Sequence, residues 1–375
     1  MKSIILKSVW AFALIALLFS CKKDETLRDT KVTEVKNLYE PADNKSLVLQ
    51  STGGASAYFE WEPAKAEDSG MILYEVAFDK EGGNFSTPIY KMASDNNGAY
   101  NHATITHKVL DKILALTGVE PGNTGKLIWT VISSKGINEL KSPVSRTITA
   151  TRLVGFPDVV EAYLTGEATE AGADLSKAIA MKSISTGVFD VYTKLEAGKS
   201  YSFRDGKTSS ALSYYPEGGI IKAGTTVASV DHTGIYHITL DFTTASFSID
   251  EVTRVDLHVM WKNLLVELPY IGNGEWGTLV DFSDRTDIDD DERYKFKVTT
   301  KALGRKDWIS VESHDNAPSG QDAWWHVKAD PDNDDDTWDD GHVWKLTSRG
   351  WNGKKLDVKF ILNPSGTYTH SVVQK

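Results

Sequence analysis

Ile72-Leu73-Tyr74-Glu75-Val76-Ala77-Phe78-Asp79 and Leu127-Ile128-Trp129-Thr130-Val131-Ile132 decide the fold. In the first, Ile72, Tyr74, Val76 and Phe78 fall on every second position, the period of a strand with one buried face. Comparable runs at 46–49, 57–61, 103–106 and 144–151 lie between turn residues. A single helix is expected over 108–117, with Val109, Ile113 and Leu116 on one face and Gly118 as its stop. About seven strands in roughly 110 residues is the density of an immunoglobulin- or fibronectin-like sandwich. Trp61 and Trp129 sit inside strands among apolar neighbours and are expected in its core.

Past a linker at 152–157, two further units share a weak internal repeat. Ala162-Tyr163-Leu164-Thr165-Gly166 opens one and Leu268-Pro269-Tyr270-Ile271-Gly272 opens the next. A strand centred on Tyr201-Ser202-Phe203 or Tyr294-Lys295-Phe296 follows in each. Each closes with a hairpin-like pair, 236–240 with 246–249 and 356–360 with 367–370. Two related β-domains meeting near Thr253 are the simplest account.

The N-terminus carries Lys2 and Lys7, then an apolar run from Val9 to Phe19 that is too short to span a bilayer. It ends Leu18-Phe19-Ser20-Cys21, which resembles a bacterial lipobox, so Cys21 is expected to be lipidated. Cys21 is the only cysteine, so no intramolecular disulfide supports the fold and stability must come from buried cores. Lys22-Lys23-Asp24-Glu25 resembles the surface-export signal of Bacteroidetes lipoproteins, and a polar tether follows. The expected architecture is all-β: tandem β-sandwich (immunoglobulin-like) domains in an elongated chain. A signal peptide takes 1–20 and a lipidated tether 21–36. The domains are 37–152, a middle sandwich over 153–253 acting as a spacer, and a Trp-rich C-terminal sandwich over 254–375.

Net charge of −11 speaks against nucleic acid or an anionic lipid surface as ligand, since both need a cationic face. Tryptophan is the more informative residue. Of eleven in the chain, eight lie beyond residue 254: Trp261, Trp276, Trp308, Trp324, Trp325, Trp338, Trp344 and Trp351. The middle domain has none, and its one aromatic pair is Tyr214-Tyr215. Several of the eight have polar, turn-like neighbours, as in Gly272-Asn273-Gly274-Glu275-Trp276-Gly277. Indoles exposed on loops call for a partner, and sugar rings suit them, because C–H faces stack on indole while polar neighbours bond hydroxyls. Trp276, Trp308, Trp324, Trp325 and Trp338 are therefore the candidate stacking residues. Asn316, Gln321, His326, Asp339 and Lys345 are the candidate hydrogen-bonding partners. Trp261, Trp344 and Trp351 belong with strand patterns and are expected in the core.

Seven aspartates fall within 330–340, and Asp330, Asp332 and Asp334 have the alternate spacing of a calcium loop. Asp335 and Gly341 stand where an EF-hand needs glycine and glutamate, so the segment reads as a solvated acidic loop, with calcium the open alternative. A second acidic run spans 287–292. No cofactor is expected. Nucleophile-elbow, zinc-protease and P-loop patterns are absent, and the nine histidines lack ligand spacing.

The chain resembles the SusE/SusF-like outer-membrane lipoproteins of Bacteroidetes glycan-utilisation systems. Leu38-Tyr39-Glu40-Pro41-Ala42-Asp43, Phe59-Glu60-Trp61-Glu62-Pro63-Ala64, Tyr74-Glu75-Val76-Ala77-Phe78-Asp79 with Asn84-Phe85, and Lys126-Leu127-Ile128-Trp129-Thr130-Val131 carry the resemblance over 36–152. Leu164-Thr165-Gly166-Glu167-Ala168-Thr169-Glu170-Ala171-Gly172 is similar to the opening of that family's carbohydrate-binding modules, which place tryptophan where this chain has Ala173. The resemblance implies a non-catalytic lipoprotein at the cell surface. It would hold polysaccharide or oligosaccharide, such as a starch-like α-glucan, beside a SusC/SusD-like transporter of the outer membrane. A glycoside hydrolase on the same anchor and a protein-interaction subunit are the competing readings.

Overall fold

The computed structural model describes residues 31–375 except 53, 157–158, 261–262, 287–292, 312–321, 331–341 and 346–350. Among the described residues half are strand and 6% helix, so the all-β reading holds. Among the described residues no helix is long and apolar enough to cross a membrane. The chain divides into two compact units, Met1–Ser46, Ala57–Ile105 and Lys126–Thr149 forming one and Leu47–Ser56, Thr106–Gly125 and Ala150–Lys375 the other.

In the first unit the alternating runs become strands Leu73–Lys80 and Thr124–Lys135, paired antiparallel with Val76 opposite Val131 and Phe78 opposite Trp129. Leu38–Glu40, Ser56–Trp61 and His102–Thr106 make a second, three-stranded sheet. Phe59 meets Trp129 edge-on at 4.9 Å and Phe78 at 5.7 Å. Trp61 and Trp129 are both fully buried, as their strand context requires.

The helix forms at His107–Leu116, where the Thr106 hydroxyl caps the Val109 amide. Gly118 ends it with a positive φ. Its buried stripe is Leu110, Ile113 and Leu114, one step round from the expected Val109, Ile113 and Leu116 face. Asp111 is buried on the same turn because it accepts the Leu153 amide at 2.7 Å and pairs with Arg152 at 3.2 Å.

Strand Ser246–Val259 organises the second unit. The expected hairpin arm over 246–249 does not stop there but runs on for fourteen residues. Its first half pairs with Gly234–Asp241, placing Ile238 opposite Ile249. A register break between Val252 and Arg254 follows, and the second half pairs with Arg293–Thr300, placing Leu257 opposite Phe296. One strand thus carries both halves through Thr253.

Phe189, Val191, Phe203, Tyr214, Leu240 and Phe242 fill the core between 159 and 242. A second core lies between the continuing sheet and a four-stranded sheet that contains Glu275–Asp281 and Lys355–Ile361. There Phe296 stacks on Phe360 at 4.7 Å. Tyr192, on strand Val188–Leu195, belongs to this second core and lies edge-on to Trp276, Trp308 and Tyr368.

Candidate functional site

The residues expected to stack on sugar are mostly inside. Trp276 is 2% exposed, Trp308 5% and Trp324 0%. All three line the second core together with Trp344 and Trp351, the two tryptophans placed there from their strand patterns. These three stacking assignments are therefore corrected: their faces meet protein.

Trp276 shows why the polar surroundings misled. Asn273 and Gly274 both have positive φ and close a two-residue hairpin, with Gly272 opposite Glu275 and Tyr270 opposite Trp276. A Cβ on Gly274 would lie 2.7 Å from the Leu362 carbonyl oxygen. The Gly-Asn-Gly stretch is a tight turn rather than a loop, so Trp276 enters a strand and faces inward. Trp308 lies opposite Phe296 in strand Gly304–Ser310. Trp324 stands in the 3-10 turn Asp322–Trp325, where its carbonyl accepts the Trp344 indole N–H at 2.7 Å.

Trp325 differs, since it is only partly buried. Its ring packs edge-on to Trp324 at 4.7 Å, and its carbonyl accepts the Thr369 hydroxyl at 2.8 Å and a proton from His370 Nδ1 at 2.9 Å. The other nitrogen of His370 accepts the Tyr294 hydroxyl at 2.9 Å. Burial drives the pKa of His370 down to about 3, so the ring stays neutral in the one tautomer these two bonds allow. Trp325 is thus held on a rigid support.

His326 follows, bridged to Thr369, with its carbonyl accepting the Val311 amide at 3.3 Å. Lys345 lies beside Trp344, opposite Arg293. The side chains of His326 and Lys345 are partly exposed. Of the ten candidates, these two and Trp325 are the partly exposed ones among the described residues. Trp338, Asn316, Gln321 and Asp339 lie outside the described residues, as do Trp261, Asp332 and Asp334. Asp330 is buried, and its amide donates to the Asp307 carbonyl at 2.8 Å. Among the described residues no group of three histidine, cysteine or acidic side chains could hold a metal ion.

The same sheet buries charge on its other face. Lys295 and Lys297 alternate with Tyr294, Phe296 and Val298, as Asp256 and His258 alternate with Val255, Leu257 and Val259. Lys295 Nζ and Asp307 pair at 2.6 Å with no exposure on either side chain. Burial first, and then the Lys297 and Lys295 charges, push the pKa of His258 down to about 4. From the alternation alone these residues read as a solvated face, yet they are interior.

A groove of about 290 Å³ runs beside the loop after Leu164, with Glu170, Lys177, Lys207, Asn273 and Asn363 in its walls and Tyr192 in its lining. Glu170 fixes it: one oxygen accepts the Tyr270 hydroxyl at 2.7 Å and the Thr193 hydroxyl at 2.8 Å, the other the Asn273 amide at 3.2 Å. Beneath it Tyr192 stacks on His237 at 4.1 Å, and Asp190 accepts the Tyr368 hydroxyl at 2.6 Å. Tyr214 of the middle aromatic pair is a core residue, 5.0 Å edge-on to Phe242.

Residues 23–132 match the model described as SusE outer membrane protein. This part of the chain is similar to the SusE family. Comparison with curated proteins gives no match. Among solved structures, SusF from Bacteroides thetaiotaomicron is similar at 13% identity and a TM-score of 0.25, over 92% of this chain and 76% of that one. A quinonprotein alcohol dehydrogenase-like protein of the same organism is similar at 11% identity and a TM-score of 0.16, over 91% and 72%.

The SusE region carries surface aromatics that the sequence reasoning missed. Tyr58 and Tyr100 are 47% and 48% exposed, with His102 beside both. A signal for Tyr58 was present, since it takes the outward position between Ala57 and Phe59 in an alternating strand.

Proposed function

We propose that this protein binds polysaccharide or oligosaccharide at the cell surface without catalysis, held to the outer membrane by a lipid on Cys21. The observation that carries the proposal is the SusE family match over 23–132. The proposed partners are a SusC/SusD-like transporter, which the bound glycan would supply, and a starch-like α-glucan as the first polymer to test. Stacking falls to Trp325, with His326 and Lys345 as polar neighbours, because their side chains are partly exposed on a rigid support.

Affinity electrophoresis of the full mature chain through gels containing soluble starch, xyloglucan, galactomannan or laminarin tests this. At least one polymer should retard the protein, and Trp325→Ala should weaken that retardation. Equal mobility in every gel would remove the binding proposal, and release of reducing ends would replace it with a hydrolase.

A further inference from the structure

Sheet strands Ser56–Trp61 and His102–Thr106 turn Phe59, Trp61, Ala103 and Ile105 inward and leave Tyr58, Glu60, His102 and Thr104 on the other face. Trp61 donates its amide to the Asn101 carbonyl, which brings the two strands side by side at this level. The His102 ring lies 5.4 Å from that of Tyr58 and 5.1 Å from that of Tyr100. Neighbouring rings are inclined by only 35° and 32°. In the core beneath, Phe59 meets Phe78 and Trp129 at 80° and 85°, the edge-on packing that fills volume. The outer three instead form a continuous aromatic row, and both of its terminal phenols are half exposed.

Acceptors lie along the row. Asp95 receives the Thr104 amide at 3.1 Å and its hydroxyl at 2.9 Å, and stands 3.7 Å from His102 Nε2. The Glu60 and Asp95 carboxylates both act on the Tyr58 hydroxyl, which reduced solvation and these two charges hold above the ordinary phenol pKa. Such a surface combines apolar faces with fixed hydrogen-bond acceptors and negative charge. It favours a neutral ligand whose own faces are apolar and whose rim is hydroxylated, and it repels an anionic one.

We propose that Tyr58, His102 and Tyr100 form a glycan-binding surface on the SusE region, separate from Trp325, that takes a neutral polysaccharide. This rests on the glycan-binding function proposed above. Successive hexose rings would stack along the row while Asp95 and Glu60 accept hydroxyl protons. A protein with two such surfaces holds a polymer longer than one with either alone.

The test uses the full mature chain in the same neutral-polymer gels, with alginate as the acidic control. The double change Tyr58→Ala and Tyr100→Ala should raise the apparent Kd about tenfold, the range found for aromatic stacking on bases. Tyr58→Phe with Tyr100→Phe keeps the rings and should retain most of the affinity, and alginate should not retard the wild type through this surface. Unchanged melting of both variants checks that the sandwich is intact. If wild type is retarded and the double alanine variant matches it, the row is refuted while the proposed function stands. Should that variant also lose co-purifying outer-membrane proteins, the occupant is a protein. If no polymer retards wild type, both proposals fall.

Discussion

The two aromatic-rich regions of this chain use their rings in opposite ways. In the C-terminal half, five tryptophans among the described residues, Trp276, Trp308, Trp324, Trp344 and Trp351, are core. In the SusE region Trp61 and Trp129 are likewise buried, while Tyr58 on the sheet and Tyr100, in the bend before His102–Thr106, are half exposed. A surplus of indole therefore reports the volume of a shared core rather than a binding face. What distinguishes Tyr58 from its buried neighbours Ala57 and Phe59 is its parity in the strand.

The comparison can be broken most readily at its buried end. Trp344→Ala removes a fully buried ring and its hydrogen bond to the Trp324 carbonyl. It should cost about 3–5 kcal/mol in chemical denaturation. A loss near zero would mean that the indole is dispensable to the core. Asp307→Ala leaves Lys295 buried without its 2.6 Å partner and should cost about 3–5 kcal/mol. A double change of Lys295→Met with Asp307→Leu should recover much of that loss, because the buried charge is gone.

Acid tests the same interior. His370 and His258 have folded pKa values of about 3 and about 4, below the ordinary histidine value of 6.5. The unfolded chain binds more protons between those values, so stability is greatest above pH 6.5 and is lost as pH falls toward 4 and then 3. Melting temperature followed from pH 7 to pH 4 should decline, and His258→Gln should flatten part of the slope. A wild-type profile level across that range would contradict burial of the neutral rings.

The surface end should respond in binding rather than stability. Trp325→Ala should weaken glycan retardation by about 1–3 kcal/mol, by analogy with base stacking. Tyr58→Ala should shift stability by about 0.5 kcal/mol or less, since the side chain is half exposed. A large melting shift in Tyr58→Ala would move that ring into the structural class.

Much of the first sandwich was legible because its signals are local. The alternation at 72–79 and the Thr106 and Gly118 boundaries of the helix place elements within a residue or two of where they form. The helix face was displaced because Leu110 and Leu114, not Val109 and Leu116, meet the interior, and a ten-residue stripe allows both phases. Trp325 was found as a candidate for the same contextual reason that misplaced Trp276. The Asn273-Gly274 turn was the overlooked cue that a strand, not a loop, follows.

By itself the sequence determined the period of the strands, the sites of the tight turns and the resemblance of the first region to SusE, since each depends on neighbours in the chain. Only the tertiary structure decided that Ser246–Val259 serves both halves of the second unit, because its partners Gly234–Asp241 and Arg293–Thr300 lie on either side of it in sequence. It also decided which faces are covered. Lys295 and Asp307 alternate like solvent-facing residues and are buried, whereas Tyr58 alternates in the same way and is exposed. Periodicity separates the two faces of a strand, but burial is a property of what packs against each face.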